Sequence, residues 1–197
     1  MGEAKRKASQ LAEWLETLAP DEWQVFAVAR AAYERIVKAL GATGMCYRMS
    51  FFLTTYLAQE RGVRVDPVVG YVNDGTGDTM ISHAWVELGG KKTDITLTMT
   101  EHAEAQPTGA LLILGREMRK GRATYTYHRE RSADALREIT ELMRDSRLRH
   151  GLLAKEAEHE RMIAIAKDLE LMRKYLDVAP DGLGYEKLSG MIAGAQF

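Results

Sequence analysis

The chain has 197 residues, 46% of them hydrophobic and 28% charged, with a net charge of -1. This is an ordinary globular mix, long enough to bury a real core and without electrostatic bias toward nucleic acid, membrane surfaces or acidic ligands. A single cysteine excludes an internal disulfide and a thiolate zinc site.

Residues 1–10 are polar and basic with no apolar run behind them, unlike a secretory signal, and no stretch approaches the roughly 20 apolar residues of a spanning helix. A cytoplasmic protein is the expectation. Residues 8–18 read as a helix with Leu11, Trp14, Leu15 and Leu18 on one face. Pro20 suits the first turn of a second helix, which carries Trp23, Phe26, Val28, Tyr33, Ile36, Val37 and Leu40 and stops at Gly41.

After a glycine-bracketed loop, residues 46–61 form a third helix, apolar all round and therefore buried, ended by Gly62. The texture then turns to strand. Residues 63–72 alternate and are β-branched, 73–78 are a turn, and 80–88 and 91–98 are strands joined by Gly89-Gly90. Residues 110–114 and 123–127 are further strand candidates. From Ser132, a capping residue, the chain is helical, with Gly151 dividing the region and Met162, Ala166, Leu169, Met172 and Leu176 forming an apolar stripe. The expected division is a domain over 1–131, with its core at 20–115, and a helical extension over 132–197 that packs on the core or on a partner, a homodimer through these helices included.

Cys46 opens the buried helix in Gly44-Met45-Cys46-Tyr47-Arg48. His83 lies in Ser82-His83-Ala84-Trp85-Val86-Glu87, and Asp94 in Thr93-Asp94-Ile95-Thr96. A thiol, an imidazole and a carboxylate are the parts of a nucleophilic acyl-transfer site. If Gly89 and Gly90 are the turn, Leu88 faces Lys91, Glu87 faces Lys92, Val86 faces Thr93, Trp85 faces Asp94 and His83 faces Thr96. His83, Trp85, Asp94 and Thr96 then share one face, with His83 and Asp94 as diagonal neighbours roughly 7 Å apart. A slip of one residue would separate them. A helix start favours the reactive thiolate, and the backbone N–H of Cys46 is a candidate oxyanion donor. Gln24 is the candidate second donor.

The ordered set Gly44-Met45-Cys46, Gly62-Val63-Arg64-Val65, Gly70-Tyr71-Val72, His83 to Glu87 and Asp94-Ile95-Thr96 resembles the transglutaminase-like cysteine enzymes, a branch of the papain-like fold. The likeness covers about 55 residues. It implies an α+β fold in which the Cys-bearing helix packs on an antiparallel sheet. It further implies Cys46 as nucleophile, His83 as base and then acid, and Asp94 as the residue that orients His83. Ile95 stands where the family often has proline, the interval from Cys46 to His83 is short, and nothing after residue 131 matches. The His-Ala-Trp-Val-Glu strand followed by glycine is also similar to the leader peptidases of lasso-peptide maturation.

Each of these residues has a plainer reading. Cys46 fits a small buried hydrophobe, His83 a hydrogen-bonded structural histidine, and Asp94 a partner of Lys91 or Lys92. Trp85 reads as a core or site-wall aromatic or as a ring stacked over the imidazole, Tyr47 as a site-wall residue, and Glu87 as a solvated partner of Lys92. His102 is a competing base. His128, His150 and His159 look like surface residues, and no histidine pair has metal spacing, so neither metal nor cofactor is expected. Residues 73–78 lack the closing glutamate of a calcium loop. The expected function is a thiol-dependent peptidase, amidase or acyltransferase acting on a peptide or protein substrate; the alternative is a non-catalytic protein-binding module on the same scaffold.

Overall fold

The computed structural model describes residues 2–101, 104 and 106–194; His102 lies outside them. Helix α1 spans Glu3–Glu16 and α2 spans Pro20–Ala32. Pro20 occupies the first turn of α2, where its missing N–H is no loss, and the Glu22 carboxylate accepts from the Ala19 N–H at 3.1 Å. A π-helical turn, Tyr33–Val37, leads into the short α3, Lys38–Leu40, and Gly41 ends the run at φ 59°. Helix α4, Cys46–Arg61, has the bounds expected of it and stops at Gly62 with φ 68°. Its residues 49–57 are all buried.

Strand β1 is Asp66–Asn73, β2 is Ile81–Leu88 and β3 is Lys91–Thr93. Gly89 and Gly90 both have positive φ, 56° and 78°, which suits a tight two-residue hairpin turn. The register follows: Val86 pairs with Thr93, Glu87 with Lys92 and Leu88 with Lys91. The expected strand over 91–98 is shorter, because Asp94 leaves the β2 ladder and bridges Leu112 instead. Asp94 Oδ1 accepts from the N–H of Thr96 at 2.9 Å and from its hydroxyl at 3.0 Å, a local turn that competes with continued pairing.

Strands β4, Leu111–Ile113, and β5, Arg116–Arg119, form an antiparallel hairpin. It is anchored to β3 by the Leu114 N–H on Thr93 Oγ1 and the Gly115 N–H on the Lys92 carbonyl. Only the first half of that hairpin was expected. Strand β6, Thr126–His128, pairs antiparallel with β1, giving the order β3-β2-β1-β6. Gly70 lies where β6 and the Trp85 ring crowd β1. An added Cβ there would meet the His128 carbonyl oxygen at 2.4 Å and Trp85 at 2.9 Å.

Helices α5, Ala133–Leu142, α6, Ser146–Ile165, α7, Leu169–Asp177, and α8, Tyr185–Ile192, complete the chain. Ser132 caps α5 through the Ala135 N–H. Gly151 does not divide this region but lies within α6; the break falls at 143–145, where Asp145 caps α6. A second break falls at Asp168, which accepts from the N–H groups of Glu170 and Leu171. Helix α4 packs on β1, β2, α2, α7 and α8. Met162, Met172, Leu176, Tyr185, Leu188 and Ile192 belong to the same buried cluster as Phe51, Phe52, Val69, Ala84 and Val86. Helices α6, α7 and α8 therefore share one core with the sheet, while α5 packs through Ala135 against Tyr71 and Met80. No described helix is long and apolar enough to cross a membrane.

Candidate functional site

Cys46 is the first residue of α4 and remains half-exposed. At that position its backbone N–H has no intrahelical acceptor. Packing of α4 on β2 brings it beside His83, whose ring has the thiol as a neighbour. His83 is buried, and its Nε2–H donates to Asp94 Oδ2 at 2.7 Å. Fixing Nε2 on the carboxylate leaves Nδ1 as the ring nitrogen free for sulfur.

Asp94 is 2% exposed, yet its carboxylate is fully satisfied. Oδ2 takes the His83 ring and the Tyr127 hydroxyl, the latter at 2.9 Å, and Oδ1 takes both donors of Thr96. Four donors fill the lone-pair positions of an ionised carboxylate. Burial by itself would push the Asp94 carboxyl up, but the His83 charge and these hydrogen bonds hold it below the ordinary range. Burial likewise opposes the imidazolium of His83. The Asp94 charge, its hydrogen bond and the Cys46 contact outweigh that and carry the imidazole up to about 10. The carboxylate thus favours the protonated form of the ring.

The diagonal His83–Asp94 relation expected from the glycine turn is present, although Asp94 no longer pairs with β2. Lys91 and Lys92 are engaged elsewhere: Lys91 with Glu22 at 2.5 Å, and Lys92 over the Tyr127 ring. Trp85 is 1% exposed and packs edge-on against Tyr127 with centroids 5.1 Å apart. It is a buried core aromatic, as one of the two expectations for it had it. Its Nε1–H donates to Glu87 Oε1 at 2.8 Å, and Arg129 donates to Glu87 Oε2 at 2.7 Å. Glu87 is therefore a structural acceptor under Trp85, not a solvated partner of Lys92. Gln24 is half-buried on α2, which packs on α4, but its amide makes no hydrogen bond among the described residues.

Tyr47, next to the cysteine, shares a 2.5 Å hydrogen bond with Ser82, next to His83. Ser82 also meets Nδ1 of His159 from α6. His159 is not a surface residue: it is 3% exposed and stacks on Tyr71 with centroids 4.4 Å apart. Burial, then the Arg131 charge, push its imidazole down. Tyr175 of α7 packs edge-on against Phe51, and burial pushes its hydroxyl up. Tyr127, Ser82 and Tyr175 were not singled out in the sequence as site residues, and His159 was read as a surface residue. His159 carried one signal, its three-residue spacing from Met162 on the apolar side of α6. Tyr127 carried the alternation with Tyr125.

Among the described residues no three His, Cys, Asp or Glu side chains are grouped as metal ligands. Comparison with protein-family models, with curated proteins and with solved structures found no match. The arrangement is thus a half-buried thiol at a helix start beside a buried, carboxylate-held imidazole, within an α+β fold built on a curled antiparallel sheet.

Proposed function

We propose that this chain is a thiol-dependent amide or peptide hydrolase, or a related acyltransferase, of the transglutaminase-like type, with Cys46, His83 and Asp94 as its catalytic residues. The observation that carries the reading is the ring of His83, held at Nε2 by Asp94 and with the helix-start Cys46 as its neighbour. A carboxylate-held histidine beside a helix-start cysteine is the pairing of a thiol nucleophile with its base.

The chemistry follows from these groups. Cys46 Sγ attacks the substrate carbonyl carbon, a C–S bond forms, and the electron pair moves to oxygen. The Cys46 backbone N–H lies at the helix start as a donor to that oxyanion. Collapse of the intermediate breaks the C–N bond, and the Nδ1 proton of His83 goes to the departing amine. Neutral His83 then takes a proton from water, or from an acceptor amine, as it attacks the thioester, and the thiolate leaves. Asp94 keeps its charge throughout and holds the ring in orientation. The half-exposure of Cys46 against the burial of His83 supports approach of substrate from the cysteine side.

The reading is tested by labelling with electrophilic peptide probes and locating the adduct by mass. Labelling of Cys46 that is lost in both Cys46→Ala and His83→Ala is expected. Equal labelling in His83→Ala would remove the support for catalysis. Adding a primary amine to a labelled-substrate assay separates the two fates of the thioester, since only a transferase yields the new amide.

A further inference from the structure

Tyr47 follows Cys46 in the chain, and Ser82 precedes His83. Their hydroxyls share a hydrogen bond of 2.5 Å across 35 residues of sequence. The link from α4 to β2 is therefore made one residue from the nucleophile on one side and one residue from the base on the other. Ser82 Oγ also meets His159 Nδ1, which adds a helix from the far end of the chain. His159 is itself fixed. It stacks on Tyr71, Arg131 lies over the Tyr71 ring at 4.3 Å, and Glu156 holds Arg131 through two contacts of 2.6 Å.

A buried polar chain of this kind specifies one geometry, whereas apolar packing tolerates several. With His159 neutral and its proton on Nε2, Nδ1 accepts from Ser82 and Ser82 in turn accepts from the Tyr47 hydroxyl. All three groups are then satisfied in one direction.

We infer that Tyr47, Ser82 and His159 form a positioning chain that sets the distance between Cys46 and His83, making α6 a working part of the site. The inference rests on the reading of Cys46 and His83 as nucleophile and base. None of the three touches the reacting atoms. They act through their neighbours, and catalytic geometry is sensitive to shifts on the order of 1 Å.

The test is the second-order rate of Cys46 alkylation by iodoacetamide in the full chain. Tyr47→Phe keeps the ring and loses only the hydroxyl. His159→Phe keeps an aromatic ring for Tyr71 and loses the acceptor, while His159→Asn restores an acceptor at a similar distance from the backbone. Tyr47→Phe and His159→Phe are expected to slow alkylation by about 5- to 10-fold, the effect of one well-placed hydrogen bond. The double variant is expected to be no slower than the slower single one, because both act through Ser82. His159→Asn is expected to recover most of the loss.

A wild-type rate in Tyr47→Phe, alongside a slow His83→Ala, overturns the positioning chain and leaves the nucleophile–base pair standing. A wild-type rate in His83→Ala overturns the pair and the chain with it. Equal slowing in His159→Asn and His159→Phe overturns the role of the acceptor nitrogen. Should His159→Phe fail to fold, Tyr47→Phe alone decides.

Discussion

The hydroxyl of Tyr127 donates to the same oxygen of Asp94 that receives the His83 ring, at 2.9 Å. A residue of β6, the strand on the far side of β1, thus completes the acid that orients the imidazole. Tyr127→Phe removes one donor from a buried carboxylate and is expected to cost about 1.5–3 kcal/mol, the range for hydrogen bonds to charged groups. Urea unfolding of the variant measures it. An unchanged midpoint would show that the hydroxyl contributes nothing.

Asp94→Asn changes the ring rather than the fold. The amide can donate to Nε2, which places the remaining ring proton on the nitrogen facing Cys46. The ring then loses both its charge and its ability to accept a proton there. Peptide-probe labelling of Cys46 is expected to fall on the order of 100-fold or more, with near-native circular dichroism. A loss smaller than about tenfold would show that the carboxylate does not control the base.

The pH dependence of stability has a definite sign. His83 is raised from its ordinary 6.5 to about 10, so its contribution is full below about pH 6.5 and is lost as pH rises through about 10. Asp94 is depressed below its ordinary 3.8, so its contribution is present above that value and lost as pH falls through the lowered one. The stability difference between the wild type and His83→Phe should therefore be largest between about pH 4 and 6.5 and shrink toward pH 10. Denaturant titrations at pH 5.5 and 10 compare the two. A difference that grew toward pH 10 would contradict the raised imidazole.

Gly70→Ala is expected to destabilise by about 1–3 kcal/mol, because its Cβ would meet the His128 carbonyl, which is backbone and cannot swing away. Thermal unfolding checks this. A variant as stable as the wild type would mean that β6 gives way without cost.

Leu176→Ala removes a fully buried side chain of α7 from the cluster that also holds Phe51 and Val86. It should cost about 2–5 kcal/mol and lower the single transition of the whole chain. Two separate calorimetric transitions would show instead that the C-terminal helices fold apart from the sheet.

What the sequence made legible followed from short-range rules. Gly89-Gly90 set the hairpin register, and with it the approach of His83 and Asp94. The apolar run after Cys46, closed by Gly62, set α4. Chain features that depend on tertiary partners were hidden. Asp94 ends its strand because Thr96 offers local donors, a competition that alternation does not reveal. The helix divides at Asp145 and Asp168, which act as caps, and not at Gly151, which surrounding helix formers carry through α6. Polar neighbours disguised His159, and only the fold brings Ser82 and Tyr71 against it. Tyr127 became part of the site through pairing of β6 with β1, a contact between strands more than 50 residues apart in the chain.

The central claim is that His83 acts on Cys46, and iodoacetamide alkylation at pH 6.5 tests it most directly. Wild-type Cys46 should react at least tenfold faster than the same residue in His83→Ala, with both proteins folded. Equal rates in the two proteins would contradict the account.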